Sequence, residues 1–315
     1  MLNVGVADGA SASRWLQHRH KIATSRYGTM PVEQLLARFS ATHGGHEVHV
    51  LFQALALRKT EAVPVVKERL RKGSAFEKFM LAKFLHSCPW RETMPELLLV
   101  AGDRSVFWLP RPSALYALGA LGDAAAGANV EQILRQPDRP KGVQLAAIAA
   151  LAQMNHRKAA DTIRRFCEQD DVHLRLFAAR ALAEFGEPPT SALVTTGLQH
   201  DDYVVRQEAC ELLSFLPDSA RPLQRLAQTD PHQSVRDPAT RSLLEQKLRG
   251  ETAASKLAIL REALPQAPPR LGAWIIRTAL PRCGAEGELF VRELAERDDS
   301  VGERSRVYLV LMVGQ

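Results

Sequence analysis

Two stretches of the chain repeat one another at an offset of 31 positions. Asp170 to Leu182 reads DDVHLRLFAARAL, and Asp201 to Leu213 reads DDYVVRQEACELL. In both stretches an apolar residue and an arginine follow two acids, and an alanine stands four positions before the final leucine. Residues four apart lie on the same face of a helix. The doubled stretch therefore predicts a helical repeat.

The final leucine of each stretch recurs along most of the chain, and we call it the anchor. Most steps between anchors are 30 or 31 residues, and two are about six residues longer. A small or apolar residue stands four positions before each anchor, one helical turn away on the same face. The anchors are Leu55, Leu85, Leu121, Leu151, Leu182, Leu213, Leu243, Leu280 and Leu311, and the residues four positions earlier are Leu51, Leu81, Ala117, Ala147, Ala178, Ala209, Ala239, Ile276 and Val307.

Each unit has room for two helices of about a dozen residues and two short turns. We call the helix with the anchor helix A; a breaker, a helix B and an acidic turn follow it. Asp171 and Asp202 precede helices, where a carboxylate accepts hydrogen bonds from free backbone N–H groups. We expect them to start those helices. Four residues after each aspartate, or seven before an anchor, a column of arginines is predicted to reach acids of neighbouring units: Arg175, Arg206, Arg236 and Arg304.

One such unit cannot bury its alanine and leucine face alone, so the units must stack. The sequence predicts an all-α solenoid of about eight or nine two-helix repeats, in agreement with its low aromatic content of 6%. We expect residues 1–25 to form a basic, loosely ordered segment and residues 26–315 to form a single array. The two longer steps predict irregular loops near residues 90–108 and 248–269.

The repeat resembles a known family. Asp-x-x-[Val/Leu]-Arg followed by two small residues and Ala-Leu, as in DVHLRLFAARAL and DYVVRQEACELL, is similar to the HEAT repeat, particularly its short bacterial form also found in phycobilin lyase-type proteins. The match extends from about Ser113 to Leu248; before Trp90, Val48 and Lys78 hold the arginine position and no acid precedes the helix. The resemblance implies a superhelix with A helices on the convex side and B helices on the concave side, and a scaffold that holds another macromolecule.

The cysteines and the lengths of the apolar segments predict the cellular compartment of the protein. Cys88, Cys167, Cys210 and Cys283 are scattered singly, as unbonded thiols in a reducing compartment usually are. No apolar run is long enough for a signal peptide or a membrane span. We therefore expect a cytoplasmic protein with no membrane contact.

Positive charge is concentrated near the N-terminus. Residues 1–90 contain 13 Lys and Arg against 6 Asp and Glu, whereas the remainder sums to −1 of the total of +6. The densest basic run is VKERLRKG, from Val65 to Gly73, where a B helix is expected. A concave basic stripe on the B helices, suited to a nucleic-acid backbone or an acidic protein, is predicted from Lys67, Arg69, Arg71, Lys72, Arg135, Arg164 and Arg165. The alternative is a solvated helix face.

Motifs for catalysis are weak. His46 and His49 lie three apart with Glu47 between them, one residue short of the spacing of a zinc protease motif, so we expect no metal site. No nucleophile stands with its base and no cofactor loop is present, so no catalytic residue and no cofactor is predicted. Asp103, Trp108 and Arg111 are similar in type to the carboxylate and aromatic wall of HEAT-like DNA glycosylases. The alternative is that Trp108 fills an irregular loop.

The chain ends in the almost wholly apolar stretch SRVYLVLMVGQ. A capping repeat normally has a polar outer face, so residues 305–313 are either buried by the preceding unit or docked on a partner or a second copy. Taken together, the sequence predicts a non-catalytic scaffold that binds a partner protein through its concave face, with a basic N-terminal third. A nucleic-acid-binding solenoid, including a glycosylase, and a helper that holds a tetrapyrrole-bearing client are the alternatives.

Overall fold

The fold is built from helices alone within the described residues. The structure, a computed structural model, describes residues 25, 27–41, 45–105, 109–137 and 140–313 and has no strand among them. The α-helices are α1 Val32–Ala41, α2 Gly45–Leu57, α3 Lys59–Lys72, α4 Ala75–Ser87, α5 Met94–Gly102, α6 Pro110–Leu121, α7 Gly127–Arg135, α8 Lys141–Gln153, α9 Ala160–Arg164, α10 Val172–Glu184, α11 Ser191–Leu198, α12 Tyr203–Leu213, α13 Ala220–Thr229, α14 Gln233–Leu248, α15 Ala253–Ala263, α16 Pro269–Trp274, α17 Ala285–Ala295 and α18 Ser300–Val313. A π-helical turn, Ile275–Ala279, follows α16.

The larger of two compact units contains Pro31–His43 and Arg58–Ala239. In it the helices form two layers. Helices α4, α6, α8, α10 and α12, which carry the anchors, pack each against the next. Helices α3, α5, α7 and α9 form the second layer in the same way, and each packs on its sequence neighbour in the first. This is solenoid-type stacking of helix pairs, so the predicted all-α fold of two-helix units is confirmed.

The residues four positions before the anchors are buried within their own units. The described ones, from Leu51 to Ile276, are all at most 2% exposed. Five of them are alanines in succession, at 117, 147, 178, 209 and 239, and all five are fully buried. Small side chains let the helix axes approach one another, and burial of these methyl groups with the leucines supplies the hydrophobic stabilisation of the stack.

The anchor helices begin as the acidic turns predict. Asp171 accepts a hydrogen bond from the backbone N of Leu174 (3.0 Å), and Asp202 accepts one from Val204 (2.9 Å). Before α4, where no acid stands, Ser74 forms a capping box with Glu77. Ser74 lies four positions before Lys78, just as Asp171 lies four positions before Arg175. The helix therefore begins at the position that the repeat predicts, with a serine as its N-cap in place of an aspartate.

The second unit contains Met1–Met30, Gly44–Leu57 and Thr240–Gln315. The hydroxyl of Tyr27 donates to Glu47 (2.9 Å), beside the buried Leu51 and Leu55 of α2. From Leu244 onward, α14, α15, the 269–280 segment, α17 and α18 share one apolar core. Tyr308 of α18 belongs to that core. Whether residues 26–315 form a single array stays a prediction, and residues 1–24 lie outside the described part.

Candidate functional site

The predicted basic stripe lies on the second layer of helices, and most of its charges are neutralised. Four of its residues are on α3. Glu96 of α5, 1% exposed, accepts from Arg71 and lies 3.7 Å from the Lys67 Nζ. Arg69 pairs with Glu77 (3.6 Å) and Lys72 with Glu68 (3.1 Å). These cations therefore hold the first two helix pairs together or stay in solvent beside an acid.

The three later members of the stripe are at the ends of α7 and α9. Arg135 donates to Glu131 (2.6 Å) and to the Thr162 hydroxyl (3.1 Å). Arg164 pairs with Asp161 and with Glu187 (2.9 Å). Arg165 is exposed and makes no ion pair with any described residue. Only this last cation is fully available to an incoming anion.

Arg206 of the predicted arginine column pairs with an acid of the neighbouring unit, and Arg236 repeats its carbonyl contacts. Arg206 pairs with Asp230 (3.0 Å) and donates to the carbonyls of His200 (3.0 Å) and Asp201 (2.8 Å). Arg236 makes the same carbonyl contacts one repeat later, to Asp230 (2.7 Å) and Pro231 (3.0 Å). Each arginine therefore stabilises the turn before its own helix by binding the carbonyls six and five residues earlier in the sequence.

Other members of this set differ in their contacts. The Asp171 carboxylate that caps α10 also accepts from Lys141 of the preceding repeat (2.6 Å). Arg175 is half-buried, and its Nε has no hydrogen-bond partner among the described residues. Arg304 lies against Gly272, where an added Cβ would be 2.7 Å from its Nη1.

A second cluster of charges lies between the anchor helices α10 and α12. Arg180 of α10 binds Glu211 (2.5 Å) and Glu208 (3.1 Å) of α12, and its guanidinium lies 4.6 Å from the centre of the Phe177 ring. The ring of His173 meets Phe177 edge-on at 6.0 Å. An arginine held by two carboxylates over an aromatic face has little freedom left, so this group of charges is preformed.

Burial and charge perturb the acid–base groups of this cluster. Burial would lower the pKa of Arg180, but the charges of Glu208 and Glu211 outweigh it and raise that pKa. Burial raises the pKa of Glu184, and the charge of Glu211 adds to the effect although Arg180 opposes it. Carboxylates therefore outnumber cations on this face.

Tyr116 of α6 belongs to the same electrostatic environment as the Arg180 cluster. Burial raises the pKa of its hydroxyl, the charge of Glu208 on α12 adds to the effect, and Arg180 opposes it. We call the side of the anchor helices formed by Tyr116, Phe177, Arg180, Glu184, Glu208 and Glu211 the inner face.

The expectation that the B helices line the concave side of the array stays a prediction. In the middle of α8, which packs between α6 and α10, Ala146, Ala147, Ala149 and Ala150 are buried. Their short side chains let the neighbouring helices approach α8 closely.

The sequence analysis missed the inner face. Its charged residues stand five and two positions before the anchors: Glu208 and Glu211 before Leu213, Arg180 before Leu182. Charged residues at these positions of otherwise apolar helices, in two consecutive repeats, were the sequence signal that could have predicted this cluster. Opposite charges at matching repeat positions predict an inter-repeat ion pair once the helices are known to stack.

The glycosylase-like group is not assembled as a site. Asp103 accepts from the backbone N (3.0 Å) and the hydroxyl (2.6 Å) of Ser105, within its own turn. Arg111 is buried at 6% exposure and donates its Nε to the carbonyl of Ala101 (3.1 Å). Trp108 lies outside the described residues. The described members therefore serve the α5–α6 connection.

The structure bears on the predicted histidine motif, on membrane spans and on the C-terminal helix only through the residues that it describes. His43 and the side chains of His46 and His49 lie outside it, and the remainder contains no group of three or more His, Cys, Asp or Glu side chains placed to hold an ion. None of the described helices combines the length and apolar character needed to span a bilayer. In α18, Ser305 is fully buried and Arg306 donates to the carbonyls of Ala295 and Arg297 (3.0 Å), whereas the side chains of 309–313 are not described.

Comparison with known families decides the nature of the repeat. The family model of HEAT repeats matches residues 127–214 and 170–244. Residues 127–244 are HEAT repeats. The Asp-x-x-[Val/Leu]-Arg helices α10 and α12 lie inside the matched region, so the inner face belongs largely to its HEAT repeats. No curated protein sequence matches the chain.

Solved structures support the same fold. The complex of CpcE and CpcF of phycocyanin lyase from Nostoc sp. PCC7120 matches with a TM-score of 0.53 and 19% identity, over 71% of this chain and 90% of that chain. Human deoxyhypusine hydroxylase in complex with glycerol matches with a TM-score of 0.33 and 16% identity, over 92% of this chain and 100% of that chain. The first likeness shows a shared HEAT-repeat fold, and the second is too distant to bear on the argument.

Proposed function

We propose that the chain is a non-catalytic HEAT-repeat scaffold that binds a partner protein through the inner face. The observation that carries the proposal is the Arg180 cluster, in which two carboxylates and the ring of Phe177 hold one guanidinium in place. Arginine and aromatic residues contribute most to protein interfaces when they are partly desolvated and already ordered. Ordering before binding lowers the entropy lost on association.

The charges of the inner face indicate the chemistry of the partner. Arg180 is surrounded by Glu184, Glu208 and Glu211, so the face carries one positive and three negative charges. Burial already disfavours the ionised form of Glu184. A lysine or arginine side chain of the partner would relieve this excess of negative charge, and complementary charge also accelerates encounter. The proposed partner surface is therefore basic.

Nucleic acid is less well supported as the ligand. Six of the seven stripe cations are paired with acids, and each pair would have to be broken or shared before a phosphate could bind. Glutamates on the inner face would repel a phosphate backbone. The basic N-terminal third remains a possible second contact region for an acidic protein, as the sequence predicts.

A photo-cross-linking amino acid placed at Tyr116 tests the proposal in cells that naturally contain the protein. The control is the same substitution at Leu99, which is 63% exposed on α5 in the other layer. We expect an adduct from position 116 that protease destroys and nuclease leaves unchanged, and none from position 99. The adduct should weaken when Glu211→Gln is added. An adduct that nuclease removes, or equal adducts from both positions, would contradict the proposal.

A further inference from the structure

A cavity of about 440 Å³ opens in the HEAT-repeat region, between α7, α8 and residues 160–169. Its volume lies within the range of sites that hold small molecules. It is formed by the second layer of helices and the side of α8 that faces them, and the residues of the inner face do not line it. Its lining residues are Leu134, Arg135, Gln144, Thr162, Arg165, Phe166 and Gln169.

Arg135 is held in place from behind. Its Nε donates to the Thr162 hydroxyl (3.1 Å) and its Nη2 donates to Glu131 (2.6 Å), while the same hydroxyl donates to Glu131 (2.7 Å). Burial acts to raise the pKa of Glu131, but the hydrogen bond from Thr162 and the charge of Arg135 outweigh it, so the carboxylate stays ionised. A guanidinium has five N–H donors, so two are used and three remain for a ligand.

The other polar groups of the cavity are also hydrogen-bond donors. Arg165 is exposed and makes no ion pair with any described residue. Gln144 and Gln169 carry amide groups, which can turn their N–H donors towards a ligand. No carboxylate is among the described residues that line the cavity, because Glu131 lies behind Arg135 and Thr162. Such a set of donors without an opposing acid favours an anion.

We propose that this cavity binds a small organic anion, with its carboxylate or phosphate group between Arg135 and Arg165 and its apolar part against Leu134 and Phe166. A guanidinium group can bind either anion through two parallel hydrogen bonds. The aromatic and aliphatic side chains of the lining would cover a ring or a short hydrocarbon. This site is separate from the proposed protein-binding face, so one can fail without the other.

The test is calorimetric titration of the full chain with three probes of one size: benzoate, phenyl phosphate and the neutral benzamide. We expect saturable binding of at least one of the two anions and about tenfold weaker binding of benzamide, because the amide lacks the charge that the arginines recognise. The preferred anion identifies whether carboxylate or phosphate is the natural group.

Neighbouring arginines provide a matched pair of variants. Arg165→Ala removes a lining cation, whereas Arg164→Ala removes an adjacent cation that is bound to Asp161 and Glu187 and does not line the cavity. We expect Arg165→Ala to weaken anion binding about tenfold and Arg164→Ala to change it less than about twofold. Equal losses would indicate general attraction to positive charge and would overturn the proposal, as would the absence of saturable binding of both anions below about 10 mM. Melting curves of both variants establish that each is folded.

Discussion

The guanidinium of Arg206 binds groups of two consecutive repeats. It binds Asp230, whose side chain is 4% exposed, and closes the turn before its own helix. Replacement by alanine would leave a buried carboxylate and two carbonyls without their donor. We expect Arg206→Ala to lower the free energy of unfolding by about 2 kcal/mol in urea titrations followed by circular dichroism. The exposed Arg221→Ala is the control, with an expected change below about 0.5 kcal/mol.

Asp230 makes the same contact sensitive to pH. Burial acts to raise its pKa, but hydrogen bonds from Arg206 and from the backbone N of His232 outweigh it and lower the pKa below the ordinary value. A carboxyl group with a lowered pKa in the folded state stabilises the protein above its unfolded pKa and loses that contribution as the pH falls. We expect Asp230→Asn to be less stable than the wild type at pH 7, and the difference to shrink below about pH 4. A difference that is constant from pH 7 to acid would contradict this account.

At the scale of helices, close approach depends on glycine where two helices meet. A Cβ on Gly197 of α11 would lie 2.7 Å from the Ala209 Cβ and 2.7 Å from the Leu176 Cδ1. Gly197→Ala should therefore lower the unfolding free energy by about 1–3 kcal/mol through overpacking. Gly102→Ala is the matched control, since nothing lies within 4 Å of its Cβ position, and it should be neutral or slightly stabilising. Equal effects of the two substitutions in melting experiments would show that packing against α12 is not the cause.

The N-cap of α4 is a serine, whereas α10 and α12 are capped by aspartates. The Ser74 hydroxyl accepts from the backbone N of Glu77 (3.2 Å), and the Glu77 carboxylate accepts from the backbone N of Ser74 (2.8 Å). We expect Ser74→Ala to cost about 1 kcal/mol and Ser74→Asp to retain most of the stability, because both side chains can cap the helix. Ser87→Ala, at the other end of α4, should change the melting temperature far less. Loss of stability in Ser74→Asp would contradict the shared register.

For the whole molecule, the pairing of basic residues with acids predicts how strongly the protein binds DNA. We expect the wild type to bind double-stranded DNA weakly at near-physiological salt, with a shallow dependence of affinity on salt, because six of the seven stripe cations are already paired with acids. Fluorescence anisotropy across a salt series measures this. The variant with Lys67, Arg69, Arg71 and Lys72 all changed to alanine is the comparison. A steep salt dependence in the wild type that the variant loses would restore the nucleic-acid alternative.

The fold was largely predictable because its information is local. Each repeat starts with a cap, carries a small residue one turn before a leucine and ends at a breaker, and all these signals lie within about 30 residues. The inner face was not predictable from one repeat. Arg180 meets Glu208 and Glu211 only after α10 and α12 have packed, and the charge of Glu208 reaches Tyr116 only after all four anchor helices from α6 to α12 have stacked.

The sequence by itself determined the helices, their order and the pairing of each with the next, since these follow from periodicity and caps. Tertiary structure decided which side chains of neighbouring repeats meet and which charges remain available. A run of cations in a sequence shows total charge, whereas free charge depends on the acids that folding brings near it. That is why Lys67 and Arg71 meet the buried Glu96 and only Arg165, among the seven predicted stripe residues, is left without an ionic partner in the described structure.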